Sequence, residues 1–278
     1  MTTWLITGCS SGLGHAIATA VLDAGFNAIV TARSAEKVKG FEERYPERAL
    51  ALALDLTDRA SIANAMAQAE QYFGPIDVLV NNAGYGYRAA VEEGDEEDVA
   101  NLFATHVFGP VALMKAVLPN MRKRRAGTIL NFSSIGAQFW NPGSGYYSAA
   151  KMALEGITLT LKTEVEPLGI RVLVIEPGAF RTDFSGRSLT GAKTEIADYA
   201  GTVGPRRPAN DRTHGTQPGN PKNAARLIVD TVKQAELPLR LLLGSDAVSI
   251  VTTALNRQLD EIAAWTSASS STDFLEKA

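Results

Sequence analysis

The 278-residue sequence predicts an α/β protein: one doubly wound parallel sheet of about seven strands with helices on both faces. Two observations carry this. Short apolar runs alternate with longer segments of helical period, as βα units do. Residues suited to ligand contact follow directly after those runs, at Gly8, Arg33, Asp55, Asn82, Ser134 and Pro177. In open α/β sheets with right-handed crossovers, ligands bind beyond the carboxyl ends of the strands.

The elements read in order. "WLITG" leads to "HAIATAVLDAG", "NAIVTAR" to "SAEKVKGFEERY", "ALALDLTD" to "SIANAMAQAEQYFG", and "IDVLVNNAG" to a helical stretch around residues 95 to 120. "GTILNFSS" then leads to "YSAAKMALEGITLTLKTEVEPLG", and "IRVLVIEPG" closes six strands. From about Thr182 to Lys222 the alternation lapses into a stretch rich in Gly, Pro and Thr, and loops of that length are usually functional. "NAARLIVDTVKQ" is helical, "LRLLLGSDA" a seventh strand, and a last helix runs into a polar tail expected to fray. We therefore expect a single domain over 1–278: a cofactor-binding and catalytic core at 1–182, a substrate-binding lid at 183–222, and a helix-strand-helix unit with tail at 223–278.

Apolar residues make up 45% and charged residues 21%, which is globular composition, and the net charge of -3 lacks a nucleic-acid footprint. The basic run Arg122–Arg125 follows an apolar pattern and precedes Gly127, as the solvated end of a helix would. The single cysteine, Cys9, excludes an intrachain disulfide and reads as a small filler or a reactive thiol. No cluster has metal-ligand spacing, and no segment reads as a signal peptide or as approaching a membrane span. A cytoplasmic protein is the resulting expectation.

Gly8, Gly12 and Gly14 are spaced G-x-x-x-G-x-G between a strand and a helix. Glycine lets backbone approach a ligand, and the next helix offers free N–H groups to an anion. A pyrophosphate cradle fits, as does a merely tight turn. The second strand ends "VTAR", where an NAD-binding carboxylate would stand; Ala32 accepts no hydrogen bond, while Arg33 suits a 2′-phosphate and favours NADP. Ser10 is a candidate second donor. Arg33 alternatively begins a polar loop. Asp55 follows the third strand, with Thr57 and Asp58 as competing helix caps. Tyr147 and Lys151, four residues apart, share one helix face, where an ammonium about 4 Å from the phenol would lower its pKa by ~2–3 units.

Together "TGCSSGLG" at 7–14, "NNAG" at 81–84, Ser134, "YSAAK" at 147–151 and "PG" at 177–178 resemble the short-chain dehydrogenase/reductase family over residues 3–182. The "TAR" and "VFGP" contexts resemble its steroid- and retinol-dehydrogenase-like branch. The resemblance implies a Rossmann oxidoreductase with Tyr147 as general acid and base, Lys151 lowering its pKa and holding the nicotinamide ribose, and Ser134 positioning the substrate oxygen. Ser133 is then expected to bond backbone. It further implies NADP contacts from Ser11, Leu13, Leu56, Ala83 and Gly84, with Asn82 lining the cofactor and Asp55 reaching the adenine. Pro177 and Gly178 would face the nicotinamide, and Thr182 its carboxamide or the phosphates. Where the family has a relay asparagine this chain has His106, which either supports the proton relay or is a satisfied core histidine. Phe139, Trp140, Tyr146, Phe180 and Phe184 are candidate substrate-pocket walls. The expected protein is an NADP(H)-preferring carbonyl/alcohol oxidoreductase, forming homodimers or homotetramers; a non-catalytic NADP-binding sensor is the alternative.

Overall fold

The computed structural model describes residues 1–186, 188–208 and 215–274. Its main sheet runs in the order β3 (Ala49–Ala53), β2 (Asn27–Ala32), β1 (Thr3–Ile6), β4 (Val78–Asn81), β6 (Gly127–Phe132), β7 (Ile170–Pro177) and β9 (Arg240–Leu243). Every pairing is parallel. The order reverses between β1 and β4, which opens a crevice above their carboxyl ends.

Strand periodicity of two sends successive side chains to opposite faces, and this divides the core. Trp4 and Ile6 of β1 point into one cluster with Val30, Val80, Leu173 and Ile175. Leu5, Ile29, Leu79 and Ile129 point into the other. The first cluster is covered by α1 (Gly12–Asp23) and α7 (Pro221–Val232), whose Ile17, Val21 and Ile228 are fully buried. The second is covered by α3 (Arg59–Phe73), α5 (Gly109–Arg124) and α6 (Gly145–Val165). At ~1.5–3 kcal/mol for each large side chain fully withdrawn from water, both faces hold the sheet.

The segment "SAEKVKGFEERY" is not one helix. It forms a 3-10 turn at Ala35–Lys37 and the short α2 (Gly40–Arg44), because its apolar anchors are few and Gly40 interrupts it. The stretch after Thr182 is more structured than its composition implied. It carries β8 (Leu189–Gly191), which pairs with β5 (Gly86–Arg88) in a separate parallel ribbon, and 3-10 turns at Asp183–Ser185, Ala197–Tyr199 and Gly204–Arg206. Both strands are three residues long, too short for a periodicity signal.

The helical stretch expected near 95 to 120 is a continuous run from Glu96 to Arg124: α4 (Glu96–Phe103), a π-helical turn (Ala104–Phe108) and α5. The run has 29 residues and contains a window of mean hydropathy 1.4, so the expectation that no segment approaches a membrane span is corrected. Its apolar residues Leu102, Leu113, Val117 and Met121 are buried in the protein. Arg122 to Arg124 form its last turn, closed by Arg125 in left-handed conformation, as the basic run implied. The final helix, α8 (Ser245–Ser270), extends through the first four residues of the expected frayed tail; residues 275–278 lie outside the described residues.

Candidate active site

The glycine turn is held from both sides. Gly8 and Gly12 have φ of 76° and 61°. A Cβ on Gly14 would lie 2.2 Å from the Gly8 carbonyl oxygen, so no side chain fits there. Thr7 Oγ1 donates to the Val80 carbonyl at 3.2 Å and accepts from the N–H groups of Asn82 and Ala83, both at 2.9 Å. Asn82 Nδ2 donates to the Thr7 carbonyl at 2.8 Å, so its amide ties β4 to the turn. Thr7 was not singled out from the sequence, although it adjoins Gly8. Ser11 makes no side-chain cap to α1, and the helix has no acidic residue in its first turn. Its N–H groups and dipole are therefore left for an anion.

Cys9 is fully buried and donates to the Ile6 carbonyl. Burial pushes its thiol up to about 12, so it is filler and not a reactive group. Arg33 is exposed at the end of β2, lining the cavity with Ala32, Leu54, Asp55 and Leu56. Asp55 accepts from Thr57 through both N–H and hydroxyl, at 2.9 and 2.7 Å. Those bonds hold its carboxyl below the usual range, helped by Arg33. The cap of α3 is Asp58, which accepts from the Ala60 N–H at 2.8 Å.

Ser134, Tyr147 and Lys151 converge on the same cavity, of about 1550 Å³, that holds the glycine turn. Ser134 leaves β6, accepts from the Gly136 N–H at 3.0 Å and stands close enough to Tyr147 to lower its pKa. Lys151 Nζ donates to the Phe132 carbonyl at 2.7 Å and lies 5.8 Å from the Tyr147 ring centroid. Desolvation pushes Tyr147 up to about 12, against the lowering by Ser134. Desolvation also pushes Lys151 down to about 7, opposed by Glu155. Helix spacing places both side chains on one face but does not determine which acceptor a lysine reaches.

Ser133 is buried and donates to the Glu155 carboxylate, not to backbone. Glu155 also accepts from Gln138 and pairs with Arg240, which bridges to the buried Glu176. Burial, with Glu155 adding, raises Glu176 to about 7.

His106 lies in the π-helical turn and is 1% exposed. Such turns recur where a helix re-aims a side chain. Its Nε2 meets the Tyr85 backbone, 2.8 Å from the carbonyl oxygen and 3.1 Å from the nitrogen, while Nδ1 has no partner among the described residues. Desolvation, reinforced by the Lys151 charge, holds its pKa well below the usual value, so the ring is neutral. The ring packs edge-on to Tyr147 at 5.6 Å, and a Cβ on Gly84 would lie 2.4 Å from its Cε1.

Pro177, Gly178 and Thr182 line the cavity, as do Ser10, Leu13, Phe139, Phe180 and Phe184. Trp140 and Tyr146 do not. Trp140 is 60% exposed, and Tyr146 donates its hydroxyl to the Val91 carbonyl. Sequence reasoning also missed Gln217 and Asp246, which reach the cavity from outside every motif.

The model of the short chain dehydrogenase family matches residues 2–192. The chain belongs to the short-chain dehydrogenase family. Oxidoreductase BOA17 of Botryotinia fuckeliana is 39% identical over 246 residues, covering 88% of this chain and 89% of that protein. A 3-ketodihydrosphingosine reductase of Bacteroides thetaiotaomicron is 39% identical over 198 residues, covering 70% and 71%. The crystal structure of a short-chain dehydrogenase from Streptomyces avermitilis has a TM-score of 0.91 and 42% identity, over 98% of this chain and 100% of that one. As a short-chain dehydrogenase, this protein is an oxidoreductase.

Proposed function

We propose that the protein is an NADP(H)-preferring enzyme transferring hydride between the nicotinamide and a carbonyl or alcohol carbon of a moderately hydrophobic substrate. The observation that carries this is the convergence of Ser134, Tyr147 and Lys151 on one cavity with the glycine turn and Arg33. The glycine cradle, closed to any Cβ at Gly14, and the unsealed N-terminus of α1 fit a pyrophosphate. Arg33 fits a 2′-phosphate, with Ser10 and Ser11 beside it. Leu13, Leu56, Ala83 and Gly84 complete the walls, and Asp55 stands on the adenine side.

When bound, the dinucleotide supplies or accepts the hydride. Ser134 holds the substrate oxygen, and Tyr147, neutral at pH 7, donates its phenolic proton to that oxygen during reduction. Lys151 places a cation behind the phenol and is available to ribose hydroxyls. His106, with its free Nδ1, is available to a water on the Lys151 side. Phe139, Phe180 and Phe184 favour an apolar substrate, and Phe184 stands edge-on to Tyr147 at 5.9 Å. The reductase relative from Bacteroides supports a ketone carbon as the reacting centre.

Residues 183–222 act as the substrate-binding lid. Phe108, Met152 and Ile157, exposed at 64%, 46% and 38%, support pairing of two copies through the helical run 96–124 and α6. The test is purified protein with NADPH and a panel of ketones and aldehydes. Loss of NADPH absorbance with an apolar ketone is expected; tight NADPH binding without turnover of any carbonyl overturns the reading.

A further inference from the structure

Gln217 is 4% exposed, and neither Oε1 nor Nε2 has a hydrogen-bond partner among the described residues. Leaving a buried polar group unpaired destabilises the fold, so a side chain that leaves two is held for something else. The residue lines the active-site cavity. Its backbone is fixed. Arg181 Nε donates to the Gln217 carbonyl at 2.7 Å. Two residues on, Gly219 forms a parallel bridge with Phe180, with Gly219 N donating to Ala179 O at 3.0 Å and Arg181 N to Gly219 O at 3.1 Å. Ala179 N is in turn anchored on Asp246 Oδ2 at 2.7 Å. The amide is thus presented by a wall that has little freedom to move.

That wall belongs to one end of the crevice. The segment Ala179–Thr182 leaves β7 and passes over the glycine turn, where a Cβ on Gly12 would lie 3.3 Å from Thr182 Cβ. Arg33, at the end of β2, is four strand positions away from β7, or roughly 19 Å at ~4.8 Å per strand. A dinucleotide whose 2′-phosphate meets Arg33 and whose pyrophosphate meets α1 has only its nicotinamide half left for the β7 end. A primary amide offers a donor and an acceptor side by side, and the nicotinamide carboxamide offers the complementary pair.

From this geometry we infer that Gln217 is a cofactor-positioning residue that pairs its amide with the carboxamide of the nicotinamide half. The inference rests on the NADP(H) reading above.

The test compares dissociation constants for NADPH and for 2′,5′-ADP, which lacks the nicotinamide half, in wild type and in Gln217→Leu, by calorimetry. Gln217→Leu is expected to weaken NADPH about tenfold or more and to change 2′,5′-ADP by less than about twofold. The analogue of NADPH with acetyl in place of the carboxamide, which keeps the acceptor but loses the donor, should be weakened by Gln217→Leu less than NADPH is. Unchanged NADPH affinity overturns the inference, as does an equal loss for both ligands, which marks a general wall residue. Wild type that binds neither ligand overturns the NADP(H) reading itself. Gln217→Glu, which keeps the acceptor but removes the donor, guards against a variant that fails to fold; its affinities must shift in the same pattern.

Discussion

Lys151 Nζ donates to the Phe132 carbonyl at 2.7 Å while standing 5.8 Å from the Tyr147 ring centroid, so its direct partner is the end of β6. The phenol, near 12, stays protonated across the physiological range, as reduction requires. The lysine, near 7, keeps its charge below that pH and loses it above. We expect kcat/KM for carbonyl reduction to fall as pH rises through about 7. Lys151→Arg, which stays charged, should remove that limb. Glu176 also titrates near 7, and Glu176→Gln should leave the limb in place. Stopped-flow pH profiles of the three proteins decide between them.

Tyr147→Phe deletes the proton donor and keeps the ring against His106 and Phe184. Turnover should drop by a factor on the order of 10²–10⁴, the usual contribution of a general acid, with NADPH affinity within about threefold. Retained turnover would falsify Tyr147 as the acid.

Arg33→Ala should weaken NADPH by about ten- to a hundredfold, the loss of a charge-assisted contact, and leave NADH within about twofold. Equal losses in a fluorescence titration mean that Arg33 does not meet the 2′-phosphate.

Gly84→Ala places a Cβ 2.4 Å from His106 Cε1 and 3.0 Å from Nδ1. Overpacking of this kind costs ~1–3 kcal/mol, and His106→Ala should recover much of it. A double-mutant cycle from denaturant melts is expected to give a coupling above about 1 kcal/mol. Simple additivity would separate the two residues.

Glu93 anchors the stretch that follows β8. Its buried carboxylate takes both Arg207 Nη atoms, at 3.1 and 2.8 Å, together with the Ile196 and Ala90 N–H groups at 2.7 and 3.0 Å. Arg207, first among these, holds its pKa down to about 2. A depressed carboxyl stabilises the fold above its unfolded value near ~4.3, and that stability is lost as pH falls toward 2. Glu93→Gln should cost about 3–5 kcal/mol at pH 7, as for breaking a buried pair, and flatten the acid limb of stability. A melting temperature within a degree or two of wild type excludes a role for the pair.

The parts of the site legible in the sequence are those fixed by local spacing. Glycines in a strand-to-helix turn, Arg33 after a strand and a tyrosine four residues before a lysine keep their relation in any α/β chain of this pattern. The rest depends on contacts between distant segments. Gln217 and Asp246 are anchored across 36 and 67 residues, and no period marks them. The β5–β8 ribbon joins residues about a hundred positions apart. Trp140 and Tyr146 illustrate the reverse: aromatic type alone made them pocket candidates, but a helix turns Tyr146 away within one residue of Tyr147.

The sealed thiol of Cys9 has a practical meaning. With one cysteine in the chain, fully buried and near 12, the native protein presents maleimides and spin labels with nothing to attack. A cysteine introduced at Thr190 on the lid ribbon would be its sole accessible handle. Distances from a probe there to a fluorescent NADPH analogue can then be followed without first stripping the background, a starting point that most enzymes must be engineered to reach.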